Sequence, residues 1–473
     1  MIMAINTLHP TYEKMKPIWQ KCRDAFAGQY AVHERGQAYL PVLAGQTPQD
    51  YLAYKMRATY FNASGRTLDG LSGMVFRKEP YSEYPDSFER IYKDLDLKDT
   101  TTDAFAEKIL REVLTVYRCG VLVEFPQVTE RPPNAATAAQ LNLRPYASFY
   151  ATESIINWKV ERINNSMQPT LVVLAEQYEQ SVDAYESEYG TQYRVLRLVD
   201  GVYSQVVYRE GNGGLEQVSD VIIPLMNGRP IPFIPFYSFG AFDNDINPEY
   251  PPLLDLVDLN LAHYRVSADY EYGTHFTGLP MLFLAGVTLD ENEKIYLGSQ
   301  TAIVSNNENA DGKFIEFSGQ GLGALEKNLD RKEKQMAVIG ARMLEQQKAG
   351  VEAEGTMKLR VNGESSVLAG IAKMISQQLE KMLNFMAQWE GITQEIEFKL
   401  NTDYHPAKMS PQELAELVKS WQAGAISYDT LFKNLQNGEI IDADESMEDE
   451  QEKIANAQPN LTIDLNTDDD VAS

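Results

Sequence analysis

A chain of 473 residues exceeds the usual limit for one hydrophobic core, so two or more subdomains are expected. Hydrophobic residues make up 44% of it and aromatics 10%, which is enough to fold, while 68 acidic residues against 42 basic ones leave a formal charge of −26. That excess speaks against a protein that clamps nucleic acid, because tight phosphate binding relies on lysine and arginine displacing counterions.

The first 75 or so residues read as helical. Tyr12, Met15, Trp19, Cys22 and Phe26 recur at helical spacing after His9-Pro10. Residues 41–45 break the pattern, and a second helix is expected from Thr47 as cap and Pro48 in the first turn, through Tyr51, Tyr54, Met56 and Tyr60. More helix is expected over 67–75 and over 101–115. Residues 116–125 read as a short apolar hairpin or paired strands around Gly120, and further strands are expected at 146–149, 171–178, 193–198, 203–208 and 221–224. Between them, 131–143 has few large apolar groups and reads as a surface excursion or a short surface helix. The prolines of the run at 231–236 bar a central strand there and leave an edge or an extended segment.

The segment 247–252 offers the next helix start, and the helix expected over 249–277 has Leu253, Val257, Leu261, Tyr264, Ala268 and Tyr272 on one stripe and Asp255, Asp258, Arg265 and Asp269 on another face. A β-like insert follows at 281–285, 302–305 and 314–317; it is too small to bury much core alone and should depend on partners. A helix over 322–344 carries Leu322, Leu325, Leu329, Met336, Ile339 and Met343 at near-heptad spacing. The polar gap 345–362 precedes a long helix over 364–389, whose apolar side is Leu368, Ile371, Ile375, Leu379, Met382, Met386 and Trp389. A strand at 395–400, a helix capped by Ser410 and ending at Gly424, and a short helix over 427–435 complete the pattern. Beyond Gly438 twelve acidic residues stand against Lys453 alone, in a tail that this composition leaves partly disordered.

Chemistry is sparse. Cys22 and Cys119 supply neither a disulfide framework nor metal-ligand spacing, and suit a reducing compartment. His9, His33, His263, His275 and His405 form no pair at metal-ligand spacing. The glycines at 319, 321 and 323 lack the lysine and serine or threonine of a phosphate loop and read as a hinge into a helix. Paired acids such as Asp255 and Asp258 could act as general acid and base, but a solvated helix face explains them better. No apolar run nears the roughly 18 residues of a membrane span, and the N-terminus has no signal-peptide pattern. No metal, cofactor, catalytic residue or membrane association is expected.

Nearly the whole chain resembles the portal, or head-to-tail connector, proteins of tailed bacteriophages. The resemblance rests on NASGRTLDGLSGMVFRKEP at 62–80, GVLVEFP at 120–126, YATESIINW at 150–158, the segment 232–236 and, above all, PLLDLVDLNLAHYRVSADYEYGTHFTGLP at 252–280. It implies an α+β portal fold assembled as a ring, usually of twelve copies, at one capsid vertex. The wing would be 1–248, the first stem helix 249–277, a β-rich clip 278–321 and the second stem helix 322–344. A tunnel loop would occupy 345–362, a long helix and strand returning to the wing 363–407, a short helical crown 408–457 and an acidic tail 458–473.

The same resemblance implies partners. They are other copies of the chain, the major capsid protein, the terminase large subunit that packages DNA, the head-tail adaptor, and double-stranded DNA passing without sequence specificity, first packaged and later ejected. The protein would reside in the virion, and in the host cytoplasm during assembly. An acidic wall would repel phosphate and let DNA slide. Asp255, Asp258, Asp269 and Glu271 are expected to contribute to it, and Lys348, Lys358 and Arg360 of the loop to touch DNA transiently. The alternatives are another structural virion protein, such as a capsid or tail-tube subunit, or an acidic enzyme.

Overall fold

The computed structural model describes residues 5–126, 140–181, 185–211, 214–277, 281–286, 309–315, 321–343, 366–404 and 411–437, with a few positions at 137, 307, 440–441, 446–450 and 453. Helix and strand are mixed throughout. The chain divides into two compact units, Met1–Thr402 and Asp403–Ser473.

The first unit begins with α1 (Pro10–Ala27), α2 (Gln29–Arg35), α3 (Pro48–Arg57) and α4 (Ala63–Val75). Their starts are set locally. Pro10 and Pro48 occupy first turns, and Thr47 and Asp50 cap each other's backbone N–H groups reciprocally. α3 stops at Arg57, so Tyr60 lies beyond the helix expected to carry it; it is buried all the same, with its hydroxyl donating to the Ala25 carbonyl at 3.0 Å. α4 starts at Ala63 rather than near 67, because the Asn62 side chain accepts from the Gly65 N–H. Tyr12, Met15, Trp19 and Cys22 are buried as the helical spacing of α1 requires.

After β1 (Tyr81–Glu83) and α5 (Glu89–Lys93), α6 (Thr102–Val116) leads into β2 (Arg118–Glu124) through Tyr117, whose φ is 81°. The hairpin expected around Gly120 is one continuous strand with every residue buried. It is the centre of a three-stranded antiparallel sheet, between β3 (Tyr146–Ala151) and a strand from further along the chain. A five-stranded meander is built from β4 (Ile155–Ile163), β5 (Ser166–Ser181), β6 (Ser187–Val199), β7 (Val202–Gly211) and β8 (Gly214–Gln217). Of these, β4 and β8 were not expected from the pattern. The strand expected at 221–224 reduces to a single bridge between Gln205 and Ile222. The surface excursion expected at 131–143 lies largely outside the described residues.

A small ladder, β9 (Leu225–Met226) with β10 (Arg229–Pro230), precedes β11 (Phe236–Gly240), which is the edge strand beside β2. Phe236 therefore opens an edge strand, while the proline run before it bends at Pro232 and Phe233 and forms no strand. Gly120 is a glycine for packing and not for turning: a Cβ there would sit 2.1 Å from the ring of Phe236 across the β2–β11 pair.

Next come α7 (Leu254–Thr277), β12 (Met281–Ala285), β13 (Asp311–Ile315), α8 (Leu322–Arg342), α9 (Val367–Glu390) and β14 (Glu397–Lys399), which pairs with β1. The Ser366 hydroxyl caps α9 and Gly391, at φ 86°, ends it. All seven residues of its expected apolar side are buried. In the second unit, α10 (Pro411–Gln422) and α11 (Tyr428–Asn437) follow the expected pattern, with Leu431 and Phe432 buried and Tyr428 between Trp421 and Phe432. The expected Ser410 cap and most of the acidic tail lie outside the described residues.

Replacing Gly120 by valine should force the Phe236 ring aside and destabilise the first unit by about 1–3 kcal/mol. Thermal unfolding should show the loss, and Gly120→Val with Phe236→Ala should recover part of it.

Candidate functional site

The stretch expected to carry function is the antiparallel pair α7 and α8 with the β12–β13 hairpin between them. α7 is anchored from inside. Asn260 is fully buried; its Oδ1 accepts from the Tyr60 hydroxyl (3.1 Å), the Ser64 N–H (3.0 Å) and the Ser64 hydroxyl (2.9 Å), and its Nδ2 donates to the Phe61 carbonyl (2.7 Å). One side chain thus satisfies the chain where α3 turns into α4, which would otherwise be left with buried unpaired groups. The buried face is wider than the expected stripe, taking in Leu256, Asn260, His263 and Ser267 as well as Val257, Leu261, Tyr264 and Ala268.

The four expected wall residues do not share one face. Asp255, Asp258 and Asp269 lie on the exposed side of α7, whereas Glu271 falls roughly half a turn round the helix and is half-buried. Two of the three have partners within the chain: Lys21 of α1 donates to Asp258, and the Tyr54 hydroxyl of α3 donates to Asp269 at 2.6 Å. Lys348, Lys358 and Arg360 lie outside the described residues, as does the whole polar gap that holds them.

α8 meets α7 along a narrow line. Gly273 gives it room, since a Cβ there would stand 2.8 Å from Leu322 Cδ2, and His263 Nε2 lies 3.3 Å from a Glu333 carboxylate oxygen. Of the expected apolar stripe of α8, Met336 and Met343 are buried and the rest are half-exposed. Val338 is 50% exposed. Most of the circumference of α8 is therefore open to solvent. The hairpin is open too: β12 pairs with β13 in register from Met281–Ile315 to Ala285–Asp311, Phe283 is 45% exposed, and Asp311, Gly312 and Lys313 are exposed. The expected strand at 302–305 lies outside the described residues.

His263 is the titratable group inside this contact. With Nε2–H donating to Glu333, its buried Nδ1 has no partner among the described residues, so a second proton would have no acceptor. Burial lowers its pKa below 6.5, outweighing the carboxylate of Glu333.

Elsewhere, a cleft of about 490 Å³ among α1, α4 and α6 is lined by Arg23, Glu107, Lys108, Arg111 and Glu112, and Arg23 there bridges Glu112 and Glu153. A groove of about 520 Å³ beneath the proline run is lined by Ile163, Pro169, Leu198, Phe233, Ile234 and Phe236. Among the described residues no three His, Cys, Asp or Glu side chains are grouped to hold a metal ion, and no helix is long and apolar enough to cross a membrane.

The helix-hairpin-helix stretch is also where a comparison falls. Residues 252–390 match a family described as Domain of unknown function (DUF4055). That is the stretch from α7 through α9, under a third of the chain. Solved structures that the chain is similar to come from a gene transfer agent particle. One is from "Neck of native GTA particle computed with C12 symmetry", at 10% identity and a TM-score of 0.37, covering 83% of this chain and 94% of that one. A second is from "Neck of empty GTA particle computed with C6 symmetry", at 12% and 0.38, covering 82% and 92%. A third is from "Virion of native gene transfer agent (GTA) particle", at 12% and 0.37, covering 84% and 95%. No curated protein matches.

Asn260→Leu should cost about 2–4 kcal/mol of stability, because it strips partners from the Ser64 N–H and the Phe61 carbonyl at once. For His263, the lowered folded pKa means that the unfolded chain takes up the proton first, so stability falls as pH drops below 6.5 toward the folded value. Melting curves of His263→Gln should fall less steeply than wild type over that window.

Proposed function

We propose that the chain is a portal-type connector subunit: copies form a ring at one capsid vertex, through which DNA is packaged and later ejected. The observation that carries this reading is the module 254–342. Two long antiparallel helices flank a strand pair whose described side chains are exposed or half-buried, and α8 has a single residue buried, Met336, over its 21 positions. An amphipathic helix stabilised mainly by tertiary packing does not leave that much side open without a partner. Repetition around an axis covers it, because in a heterologous ring each subunit supplies both sides of the contact.

In this reading α7 and α8 form the stem and the hairpin docks the packaging motor, with the terminase large subunit and later the head-tail adaptor as partners. The surrounding subunit meets the major capsid protein. A net charge of −26 suits a passage that must not hold phosphate, and Lys348, Lys358 and Arg360 are the basic residues we assign to transient backbone contact. Twelve copies is the expected number.

Negative-stain imaging of the purified full chain tests this directly. Rings with a central hole of about duplex width, roughly 20 Å or more, are the expected result. Compact monomers at micromolar concentration would overturn the proposal, and extended tubes or shells would favour a tail-tube or capsid subunit instead.

A further inference from the structure

Two stripes on the helix pair are open and opposite in charge. On α7, Asp255, Asp258, Ala262, Arg265 and Asp269 follow one another at i, i+3, i+7, i+10 and i+14, all exposed except the half-buried Ala262. On α8, Lys327, Arg331, Lys334, Val338 and Arg342 follow at i, i+4, i+7, i+11 and i+15, and all five are exposed. The four cations have no ion pair among the described residues, in a chain whose acids outnumber its bases by 26. They occupy the side of α8 turned away from Leu322, Met336 and Met343, and so away from its own α7. Both repeats have the spacing with which helices present a seam to another helix.

We infer that the basic ridge of α8 docks on the acidic strip of α7 in the next copy of this chain. The inference rests on the ring reading and specifies its stem interface. Height decides the pairing. Counting outward from the facing pairs His263–Glu333 and Gly273–Leu322, Asp255 lies level with Arg342 and Asp269 level with Lys327. Rotation about an axis running along the helices moves neither partner up or down, so those levels persist between neighbouring copies. Lys334 comes level with Ala262, between Asp258 and the next turn, and Val338 with Asp258. Arg265 alone opposes the pattern, lying level with Arg331. Val338 and Phe276, each 50% exposed, supply apolar area within the same two faces.

The strip on α7 thereby meets a protein neighbour, and this replaces the channel wall as the role of Asp255, Asp258 and Asp269. It also explains why an acidic chain concentrates unpaired cations on its most exposed helix. Like charges brought together at such a seam suppress assembly strongly, and opposite charges restore it.

The test uses two full-length variants, Lys327→Glu/Arg342→Glu and Asp255→Lys/Asp269→Lys, each followed by sedimentation and imaging beside wild type. Each variant alone should lose the assembled fraction by about tenfold or more. An equal mixture should regain rings, because the reversed ridge of one fits the reversed strip of the other and the wild-type faces fit in turn. Recovery on mixing also shows that both variants fold. Since Asp269 accepts from Tyr54, the single pair Arg342→Glu and Asp255→Lys repeats the test at positions without that bond. Variants that assemble like wild type would overturn this interface while leaving the ring standing. So would variants with wild-type melting curves that stay monomeric when mixed. Monomeric wild type would overturn ring and interface together.

Discussion

The first unit is organised around a buried cation that has no carboxylate partner among the described residues. Arg118, at the start of β2, is completely inaccessible, and burial draws its pKa down to about 9. A charge in that position costs several kcal/mol unless its donors are satisfied. They are: Nε donates to Thr152 Oγ1 at 3.0 Å, Nη2 to the Ile155 carbonyl at 3.2 Å and Nη1 to the Ile246 carbonyl, while the guanidinium lies 4.3 Å over the Trp158 ring and faces Trp19 of α1. The group therefore binds the central strand to the first helix, to the start of β4 and to the segment that delivers the chain into α7.

From that fixed point the anchoring of α7 follows. Ile246 leads into Pro251 and Pro252, which suit a helix start, and the buried Asn260 locks α7 two turns later against the α3–α4 junction. Tyr54 and Lys21 hold the exposed side of α7 from α3 and α1. α8 is treated differently: Gly273 and His263 admit it along one line, and nothing among the described residues covers its outer half. A rigid helix presenting a second, open helix is a surface prepared for another molecule, and the charges on it say which sign that molecule must carry.

Much of this was legible in the residues. Proline and cap chemistry at Pro10 and Thr47 placed helix starts, and the apolar spacing of α9 named its buried side correctly. What misled were residues whose role is set across the fold. Gly120 looked like a turn, because a glycine between apolar runs usually is one, yet the ring of Phe236, 116 residues away, is what excludes a side chain there. Asn260, His263 and Ser267 lie outside the apolar stripe expected for α7, yet all three are buried, Asn260 bonded to the α3–α4 connection and to α4, and His263 to α8. A signal for Asn260 existed only in retrospect: an amide among buried leucines needs partners, and sequence spacing does not name them.

The sequence by itself determined where most of the helices begin, because capping, proline geometry and apolar period are local and act within a turn or two. It also determined the acidity of the chain and the absence of recognisable catalytic spacing. The tertiary structure alone decided which charges stand free. Asp258 and Asp269 acquire partners from α1 and α3, Glu271 turns to another side, and the ridge from Lys327 to Arg342 is left open. The reason is that a charge is paired or free according to what the fold brings within about 4 Å of it, and that distance is set by contacts between residues hundreds of positions apart.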